Sequence, residues 1–499
     1  MVFSSHAFLF YFLPATLALY YAMPRQGRHA VLTMLSYVFY GSVNPLFVIL
    51  LFSSTIIDYF CGLAIAGRGP VWVARLLHRP CLTARWRQPL DAVDPVREHS
   101  TRQRAAVVVS ICTNLSLLGF FKYFNFASEN LNALAAWLGA PPEFSLGAAL
   151  QVTLPLGISF YTFQSMSYTL DVYRGHATAL RNFVNFACYV SMFPQLVAGP
   201  IIRFSEVADQ LASRTHTITK FARGIAFISL GLAKKVLLAN PCGRIADIAF
   251  EAGSLGIVDA WYGVTAYAFQ IYFDFSGYTD MAIGLGLMLG FVFPKNFDSP
   301  YLSQSITEFW RRWHISLSSW LRDYLYVPLG GNRKSDARTY VNLGIVMLLG
   351  GLWHGAAWNF VIWGGLHGSL LVVERMRGKA SMYHRLPRVG RTLATFVMVL
   401  ITWVFFRAAD LPSAARYLRS MFGLIEPADG AMLVSGVLYS PYSVGTFVLA
   451  AAITWGAPQT WDWTRRLTTL KAGVVLALLG LSLAVLSTQA YNPFIYFIF

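Results

Sequence analysis

Apolar segments of about 20 residues recur along the whole chain, and short connections that carry most of the charge separate them. A helix of that length crosses about 30 Å of hydrocarbon, so the pattern predicts about eleven spans or embedded helices. The second segment is predicted to be a hairpin bent at Asn44–Pro45. The candidate segments are residues 8–22, 30–66, 105–124, 150–170, 183–202, 221–239, 258–275, 281–293, 341–373, 393–406, 432–455 and 472–486.

Composition narrows this pattern to one class of protein. Hydrophobic residues make up 56% of the chain, charged residues only 12%, and the mean hydropathy is +0.51. Such a composition does not fit a soluble globular surface. The prediction is a single polytopic membrane domain over residues 1–499, with no metal site and no disulfide framework, because the five cysteines form no close pair.

The net charge of +16 would suggest nucleic acid in a soluble protein, whereas in a membrane protein the location of the positive residues matters. Eight of them crowd one loop, at residues 68–104, and six crowd another, at residues 375–391. The positive-inside rule places both loops in the cytoplasm and the N-terminus outside. Lys334 and Arg375 flank a single long apolar stretch, which predicts paired or re-entrant helices around a protein cavity there.

An amphipathic helix is predicted to begin after Ser305. Ser305 and Glu308 have the spacing of a capping box, and an apolar stripe then continues at helical spacing to Tyr324. His314 falls on the edge of this stripe, so its imidazole can point inward. The alternative, which spacing leaves open, is an interfacial histidine whose ring merely reaches toward water.

His354 lies inside an apolar run, between Gly351 and Gly355. Glycines four residues apart let a neighbouring helix approach closely, so the histidine is expected to be packed within the protein. An ionisable side chain at membrane depth is costly and marks a candidate functional site. The alternative is a neutral core histidine that joins two helices through a hydrogen bond.

Two carboxylates, Asp274 and Asp280, stand in a polar cluster with apolar sequence on both sides. Buried carboxylates need partners, for which Arg311, Arg312, His314 or backbone amides are the candidates. The competing interpretation is structural, since a carboxylate can tie a helix break to an arginine without taking part in chemistry.

The sequence has no phosphate-binding loop, dinucleotide fingerprint, His-Glu-x-x-His pair or G-x-S-x-G elbow. Nucleotide hydrolysis, hydride transfer, zinc proteolysis and ordinary serine hydrolysis are therefore disfavoured. A histidine that titrates near neutrality can remove a proton from a hydroxyl or thiol and return it to a leaving group. Acyl transfer matches that chemistry.

Three long stretches resemble the membrane-bound O-acyltransferase family. They are YFDFSGYTDMAIGLG from Tyr272, SITEFWRRWHISLSSWLRDYLY from Ser305 and LLGGLWHGAAWNFVIWGGLHG from Leu348. The resemblance covers nearly the whole chain, with a core at residues 296–368, and it weakens at residues 68–104 and after about residue 374. It implies an all-α bundle of tilted and re-entrant helices around a central funnel or tunnel.

The resemblance also implies site residues. It makes His354 the general base and His314 the second histidine, which orients the donor or stabilises charge. Supporting or donor-binding positions in the matching stretches are Asp274, Ser276, Asp280, Arg311, Arg312, Trp353 and Asn359. The basic face with Arg311 and Arg312 either attracts the phosphates of a coenzyme or anchors the protein by the positive-inside rule.

The expected activity is O-acetylation of an exopolysaccharide from the inner membrane of a Gram-negative cell. Acetyl-CoA is the expected donor, no cofactor is permanently bound, and periplasmic SGNH-type transferases and accessory acetylation proteins are the expected partners. Alginate is the first expectation for the polymer, with cellulose or another exopolysaccharide as the alternative. A transporter and a non-catalytic scaffold of a polysaccharide synthase are the alternatives of other classes.

Overall fold

A computed structural model of the protein describes residues 2–67, 99–141, 150–378, 383–489 and 491–495. Within these ranges the chain is all-α and has no β-strand, which confirms the predicted fold class. Most of the predicted basic loop, residues 68–98, lies outside the described residues. The described chain forms two compact units, one of residues 1–221 and 285–293 and one of residues 222–284 and 294–499.

The first half of the chain contains α1 (Leu13–Ala22), α2 (Arg28–Gly41), α3 (Pro45–Ile65), α4 (Thr101–Trp137), α5 (Ile158–Tyr173), α6 (Phe183–Ser191), α7 (Phe193–Leu196), α8 (Phe204–Ala212), α9 (Ile218–Ala233) and α10 (Asn240–Glu251). A π-helix at Ala7–Phe12 precedes α1, and another at Lys234–Ala239 joins α9 to α10.

The second half contains α11 (Ile257–Met288), α12 (Ile306–Arg312), α13 (Ile315–Leu321), α14 (Asp336–His354), α15 (Trp358–Met376), α16 (Arg388–Arg407), α17 (Leu411–Met421), α18 (Ala431–Leu438), α19 (Pro441–Gly456), α20 (Thr460–Trp463) and α21 (Thr469–Thr488). A 3₁₀ turn at Pro300–Leu302 precedes α12, and a π-helix at Arg322–Tyr326 follows α13.

Four helices in the described ranges are long and apolar enough to cross a membrane by themselves: α3, α4, α16 and α21. The pair α18 and α19 also passes the length and hydropathy criteria, with a bend of 62° between its two helices. The chain is therefore a multi-pass membrane protein. The predicted count of about eleven spans or embedded helices stays a prediction.

The predicted hairpin at Asn44–Pro45 is confirmed. The side chain of Asn44 accepts a hydrogen bond of 3.0 Å from the backbone N–H of Leu46, and Pro45 is the first residue of α3. Asparagine satisfies an N–H group that has no partner within the helix, and the fixed φ of proline suits the first helical position. The two residues together end the connection and begin α3.

The prediction of two separate spans at residues 258–275 and 281–293 is wrong. The chain forms one 32-residue helix, α11, that passes without a break through both Asp274 and Asp280. The ammonium groups of Lys235 and Lys234 each lie 2.7 Å from one of these carboxylates. Because each carboxylate has a cation beside it, the helix has no need to open at the polar cluster.

The long apolar stretch before Arg375 forms two paired helices, α14 and α15, as predicted. Their close approach depends on Gly351 and Gly364. A Cβ on Gly364 would lie 3.3 Å from the Cα of Gly351 and would overlap the carbonyl oxygen of Met347. Absence of side chains at these positions lets the backbones touch, and the contact fixes the end of α14, where His354 stands.

Candidate active site

The chain breaks at His314, between α12 and α13. One continuous amphipathic helix was predicted there, and this prediction is wrong, because His314 has φ +45° and ψ +55°. That left-handed conformation is rare for a residue with a Cβ and costs about 1–3 kcal/mol. Such strain persists only where surrounding contacts hold the backbone in place.

The segment at residues 296–298 holds the break. The carbonyl of Asn296 accepts a 2.9 Å hydrogen bond from the N–H of Ile315, and the N–H of Asp298 donates to the carbonyl of Arg312 at 2.9 Å. The Ser305 hydroxyl caps α12 by accepting from the N–H of Glu308, as predicted, but the Glu308 carboxylate accepts from the N–H of Gln304 and so does not complete the predicted capping box. These bonds fix the backbone on both sides of His314.

The ring of His314 is fully buried and its orientation follows from Asn296. The Oδ1 atom of Asn296 accepts from the backbone N–H of Ser316 at 3.1 Å and lies 3.2 Å from His314 Nδ1. Because the backbone donor identifies Oδ1 as the oxygen, His314 Nδ1 must carry the proton. The lone pair of the neutral ring is therefore on Nε2, which has no hydrogen-bonding partner among the residues that the structure describes.

Burial controls the charge of this ring. Desolvation lowers the pKa of His314 from 6.5 to about 3, since a low-dielectric environment disfavours the imidazolium. His314 lies outside the apolar helices that can span a membrane. At physiological pH the ring is neutral and keeps its Nε2 lone pair.

His354 is the last residue of the 19-residue helix α14, and it faces His314. The two ring centroids are 6.4 Å apart. Aromatic rings surround His354, with centroid distances of 4.9 Å to Trp353, 5.2 Å to Trp363 and 5.2 Å to Phe406. The structure thus brings together His314, His354 and Trp353 from two stretches that are forty residues apart in sequence.

A third buried histidine, His367 on α15, differs from these two. Its Nδ1 accepts a hydrogen bond of 3.3 Å from the indole N–H of Trp310, and its Nε2 lies 3.0 Å from the hydroxyl of Thr402. Since Nδ1 is an acceptor, Nε2 carries the proton and donates it to Thr402. Both ring nitrogens are occupied, so His367 has no lone pair available for a substrate.

A small polar cleft adjoins Asn296. Ser276 and Asp280 line it, as does Lys234, whose ammonium group is 2.7 Å from Asp280. The Ser276 hydroxyl and the Nδ2 of Asn296 are buried and have no hydrogen-bonding partner within the described part of the chain. The cleft therefore contains unused donors beside the residue that orients His314.

Of the predicted partners of the carboxylates, a backbone amide is confirmed for Asp274, whereas Arg311, Arg312 and His314 pair with neither carboxylate. Asp274 pairs with Lys235 and also accepts a 2.9 Å hydrogen bond from the backbone N–H of Ile495. Asp280 pairs with Lys234 and accepts from the Thr460 hydroxyl at 2.7 Å. Asp274 anchors the C-terminal segment and is not among the residues that line the cleft.

The remaining predicted residues lie outside the histidine pair. Arg312 pairs with Glu308 at 2.8 Å and donates to the carbonyl of Asp298, while Arg311 is exposed. Asn359 is buried and donates to the carbonyl of Ala408 at 2.7 Å, which joins α15 to the end of α16. Coenzyme binding by Arg311 stays a prediction. The contacts of Arg312 and Asn359 hold neighbouring parts of the chain together.

Sequence reasoning did not identify Asn296, Ser316, Lys234 or Lys235. The partners of Asn296 are 18 and 20 residues further along the chain, so no local spacing connects them. The sequence did contain a signal for the lysines. Lys234 and Lys235 are adjacent cations within an apolar segment, and another apolar segment contains two carboxylates with which they could pair. Among the described residues, no three His, Cys, Asp or Glu side chains lie close enough to hold a metal ion.

Comparison with known proteins agrees with the class that the fold and the histidine pair indicate. The sequence profile of the membrane-bound O-acyltransferase family matches residues 175–409, a range that contains both histidines. The chain is 41% identical to the probable alginate O-acetylase AlgI of Pseudomonas putida, over the full length of both chains. The chain belongs to the membrane-bound O-acyltransferase family and is an acyltransferase.

Other relatives act on different polymers, according to their names. A peptidoglycan O-acetyltransferase of Helicobacter pylori is 36% identical over 85% of this chain and 80% of its own. A teichoic acid D-alanyltransferase of Bacillus subtilis is 29% identical over 50% of this chain and 66% of its own. Proteins similar in sequence to this chain are therefore named for more than one acceptor polymer.

Proposed function

We propose that the protein is an inner-membrane O-acetyltransferase that takes acetyl groups from a cytoplasmic thioester, acetyl-CoA, for O-acetylation of an exopolysaccharide. The observation that carries the proposal is the pair of histidine rings, His314 and His354, whose centroids are 6.4 Å apart. The Nε2 atom of His314 has no hydrogen-bonding partner among the described residues.

The reaction is a transfer of acetyl from sulfur to oxygen. His354 removes the proton from the acceptor hydroxyl while the oxygen attacks the thioester carbonyl, and the carbon–sulfur bond of the resulting adduct then breaks. The proton on His354 goes to the departing thiolate. General base catalysis of this kind contributes about 10²–10⁴-fold, and positioning by the site supplies further acceleration.

His314 acts as a positioning group in this proposal. A neutral ring with its proton on Nδ1 has no hydrogen to donate from Nε2, so it does not stabilise an oxyanion through that atom. It can accept a hydrogen bond from a hydroxyl or thiol of the substrate. Of the two roles that the sequence allows, orientation of a substrate group is the one that the contact with Asn296 favours.

The cleft beside Asn296 is the proposed site for a polar part of the substrate. Ser276 and the Asn296 amide group offer hydrogen bonds, and Lys234 adds a cation whose charge Asp280 balances. Trp353 contributes apolar surface next to His354. Arg311 remains the proposed contact for coenzyme phosphates, because it is exposed and is available to a soluble ligand.

Alginate is the proposed polymer, since full-length relatives carry alginate O-acetylase in their names. In this proposal the acetyl group passes across the membrane to periplasmic SGNH-type transferases and accessory proteins, and the N-terminus is periplasmic. The genes beside this one provide a test of the polymer. Alginate polymerisation genes would support alginate as the acceptor, whereas cellulose synthase or peptidoglycan genes would indicate cellulose or peptidoglycan instead.

The direct test uses the purified protein, acetyl-CoA labelled in the acetyl group, and a thiol reagent. The expected result is release of free coenzyme thiol together with transfer of the label to a hydroxyl acceptor. A transporter would move solute without releasing thiol, and a scaffold would do neither. Absence of thiol release with every candidate acceptor and partner protein would reject acetyl-CoA as the donor.

Asn296→Asp tests the role of His314. The substitution keeps an oxygen acceptor but places a negative charge beside the ring, so it is expected to raise the pKa of His314. Protonation then removes the Nε2 lone pair at a higher pH, and the acid limb of the activity profile should move upward. The measurement is the initial rate of acetyl transfer from about pH 3, where the wild-type ring titrates, to about pH 9.

Asn44→Asp is the matched control for this test. It makes the same chemical change at the N-cap of α3, where aspartate caps a helix as well as asparagine does. Its pH profile should equal that of the wild type. If the profile of Asn296→Asp also equals that of the wild type, His314 does not act through its neutral form.

A further inference from the structure

A second cluster of basic groups lies in the unit of residues 1–221 and 285–293. It forms where the end of α1, the start of α2, the segment between α8 and α9, the first turn of α9 and the turn after α11 meet. Its members are Arg28, His29, Arg214, His216 and Lys220, with Tyr20 and Tyr21 between them. The proposed acetyl-transfer mechanism uses none of these residues.

Arg214 is the best-anchored member of the cluster. Its Nη1 donates to His29 Nε2 at 2.6 Å, its Nη2 to the Tyr20 hydroxyl at 2.7 Å, and its Nε to the carbonyl of Leu289 at 3.1 Å. Its guanidinium carbon also lies 4.1 Å from the ring centroid of Phe291. All of these partners are neutral, so they hold the arginine in place without balancing its charge.

Arg28 brings a second guanidinium group to the same place. Its central carbon is 5.2 Å from the Tyr20 ring centroid, and that of Arg214 is 6.0 Å from the same centroid. Arg28 donates through Nε to the carbonyl of Met23, and its Nη1 lies 3.5 Å from His216 Nε2. Its Nη2 group makes no hydrogen bond to the described residues, so it is free to meet a ligand.

The cluster has no counter-ion in the described part of the chain, where no carboxylate lies within ion-pair distance of Arg28, Arg214 or Lys220. The two histidines add no balancing charge. Burial lowers the pKa of His29 to about 4, with the nearby Arg214 adding to the effect, and burial followed by Arg214 and Arg28 lowers that of His216 to about 4.

We propose that this cluster is a binding site for a phosphate group, which supplies the missing negative charge. Two guanidinium groups and one ammonium group are the partners that phosphate oxygens prefer, and arginine can bind them through two parallel hydrogen bonds. The tyrosines end the apolar helix at residues 7–22, and tyrosine and arginine at such an end are typical of the membrane interface. The phosphate belongs to a lipid headgroup or to a soluble ligand.

The test compares two sources of phosphate with the full-length, delipidated protein in detergent. One arm titrates phosphatidylglycerol, with phosphatidylcholine as the zwitterionic reference. The other arm titrates inorganic phosphate and pyrophosphate against sodium chloride at equal ionic strength, because screening alone changes charged clusters. The expected result is a concentration-dependent rise of the unfolding temperature with one of the probes, as ligand binding to the folded state predicts.

Arg28→Gln identifies the site. Loss of one charge-assisted contact should weaken the apparent affinity of the effective probe by roughly tenfold. Arg419→Gln, on the exposed side of α17, makes the same change in net charge and should leave the affinity unchanged. If Arg28→Gln does not fold, Lys220→Gln takes its place, because the Lys220 ammonium group bonds only to carbonyl and hydroxyl oxygens.

Each result decides between alternatives. A rise with phosphatidylglycerol alone identifies a lipid headgroup, and a rise with phosphate or pyrophosphate identifies a soluble ligand. The proposal is overturned if no probe raises the unfolding temperature. It is equally overturned if Arg28→Gln or Lys220→Gln responds to the probe with the affinity of the wild type.

Discussion

Replacement of His354 by alanine is expected to reduce acetyl transfer by at least about 10²-fold, the lower end of what a general base contributes. The imidazole ring of His354 is the group that receives the hydroxyl proton in the proposed reaction, and alanine has no group that can accept it. The measurement is thiol release from acetyl-CoA and acetyl content of the polymer, each normalised to the amount of inserted protein.

His367→Ala is the control for this result. His367 is as deeply buried as His314 and belongs to the same aromatic cluster, but Trp310 and Thr402 occupy both of its nitrogens. Its removal should lower the free energy of unfolding by about 1–3 kcal/mol, because the Trp310 N–H loses its acceptor. Activity per folded molecule should be kept. Full acetylation by His354→Ala would end the catalytic assignment and favour a scaffold.

Lys235→Met is expected to lower the free energy of unfolding by about 3–5 kcal/mol, the cost of leaving one partner of a buried ion pair alone. Lys235 and Asp274 are almost completely buried, and Asp274 also holds the backbone of Ile495. Loss of the cation should therefore loosen the C-terminal segment as well. Thermal unfolding in detergent and protease cleavage near the C-terminus measure the two effects.

Two further variants separate the buried charge from the loss of a side chain. Lys235→Met combined with Asp274→Asn removes both charges, so it should recover much of the stability that the single variant loses. Lys295→Met breaks a pair with Asp298, whose side chain is 48% exposed, and it should change stability by less than about 1 kcal/mol. Equal effects of Lys235→Met and Lys295→Met would contradict a structural role for the buried pair.

Sequence predicted the elements that local signals determine. Asn44 and Pro45 begin α3 through a side-chain cap and a fixed φ, and Ser305 begins α12 through a side-chain cap. The spacing of Gly351 and Gly355 correctly predicted that His354 is buried inside the protein. Each of these features depends on residues within a few positions of one another, and such short spacings can be recognised in one sequence.

The break at His314 could not be predicted from periodicity. Trp313 and Leu317 are both buried on either side of it, so the apolar stripe continues across a point where the helix does not. The left-handed backbone depends on bonds from Asn296, which is 18 residues away. The uninterrupted course of α11 was missed for a related reason, because its carboxylates meet lysines from another segment.

The two histidine rings stand at opposite ends of their helices, so the backbone places them in different electrostatic environments. His354 is the last residue of α14, where carbonyl groups without helical partners carry partial negative charge. His314 stands before the first turn of α13, where unpaired N–H groups carry partial positive charge. Helix polarity thus favours positive charge at the end of α14 and disfavours it at the start of α13. In the proposed reaction the acceptor hydroxyl gives its proton to the ring at the end of α14, and the polarity of two backbone segments is what distinguishes two otherwise identical side chains.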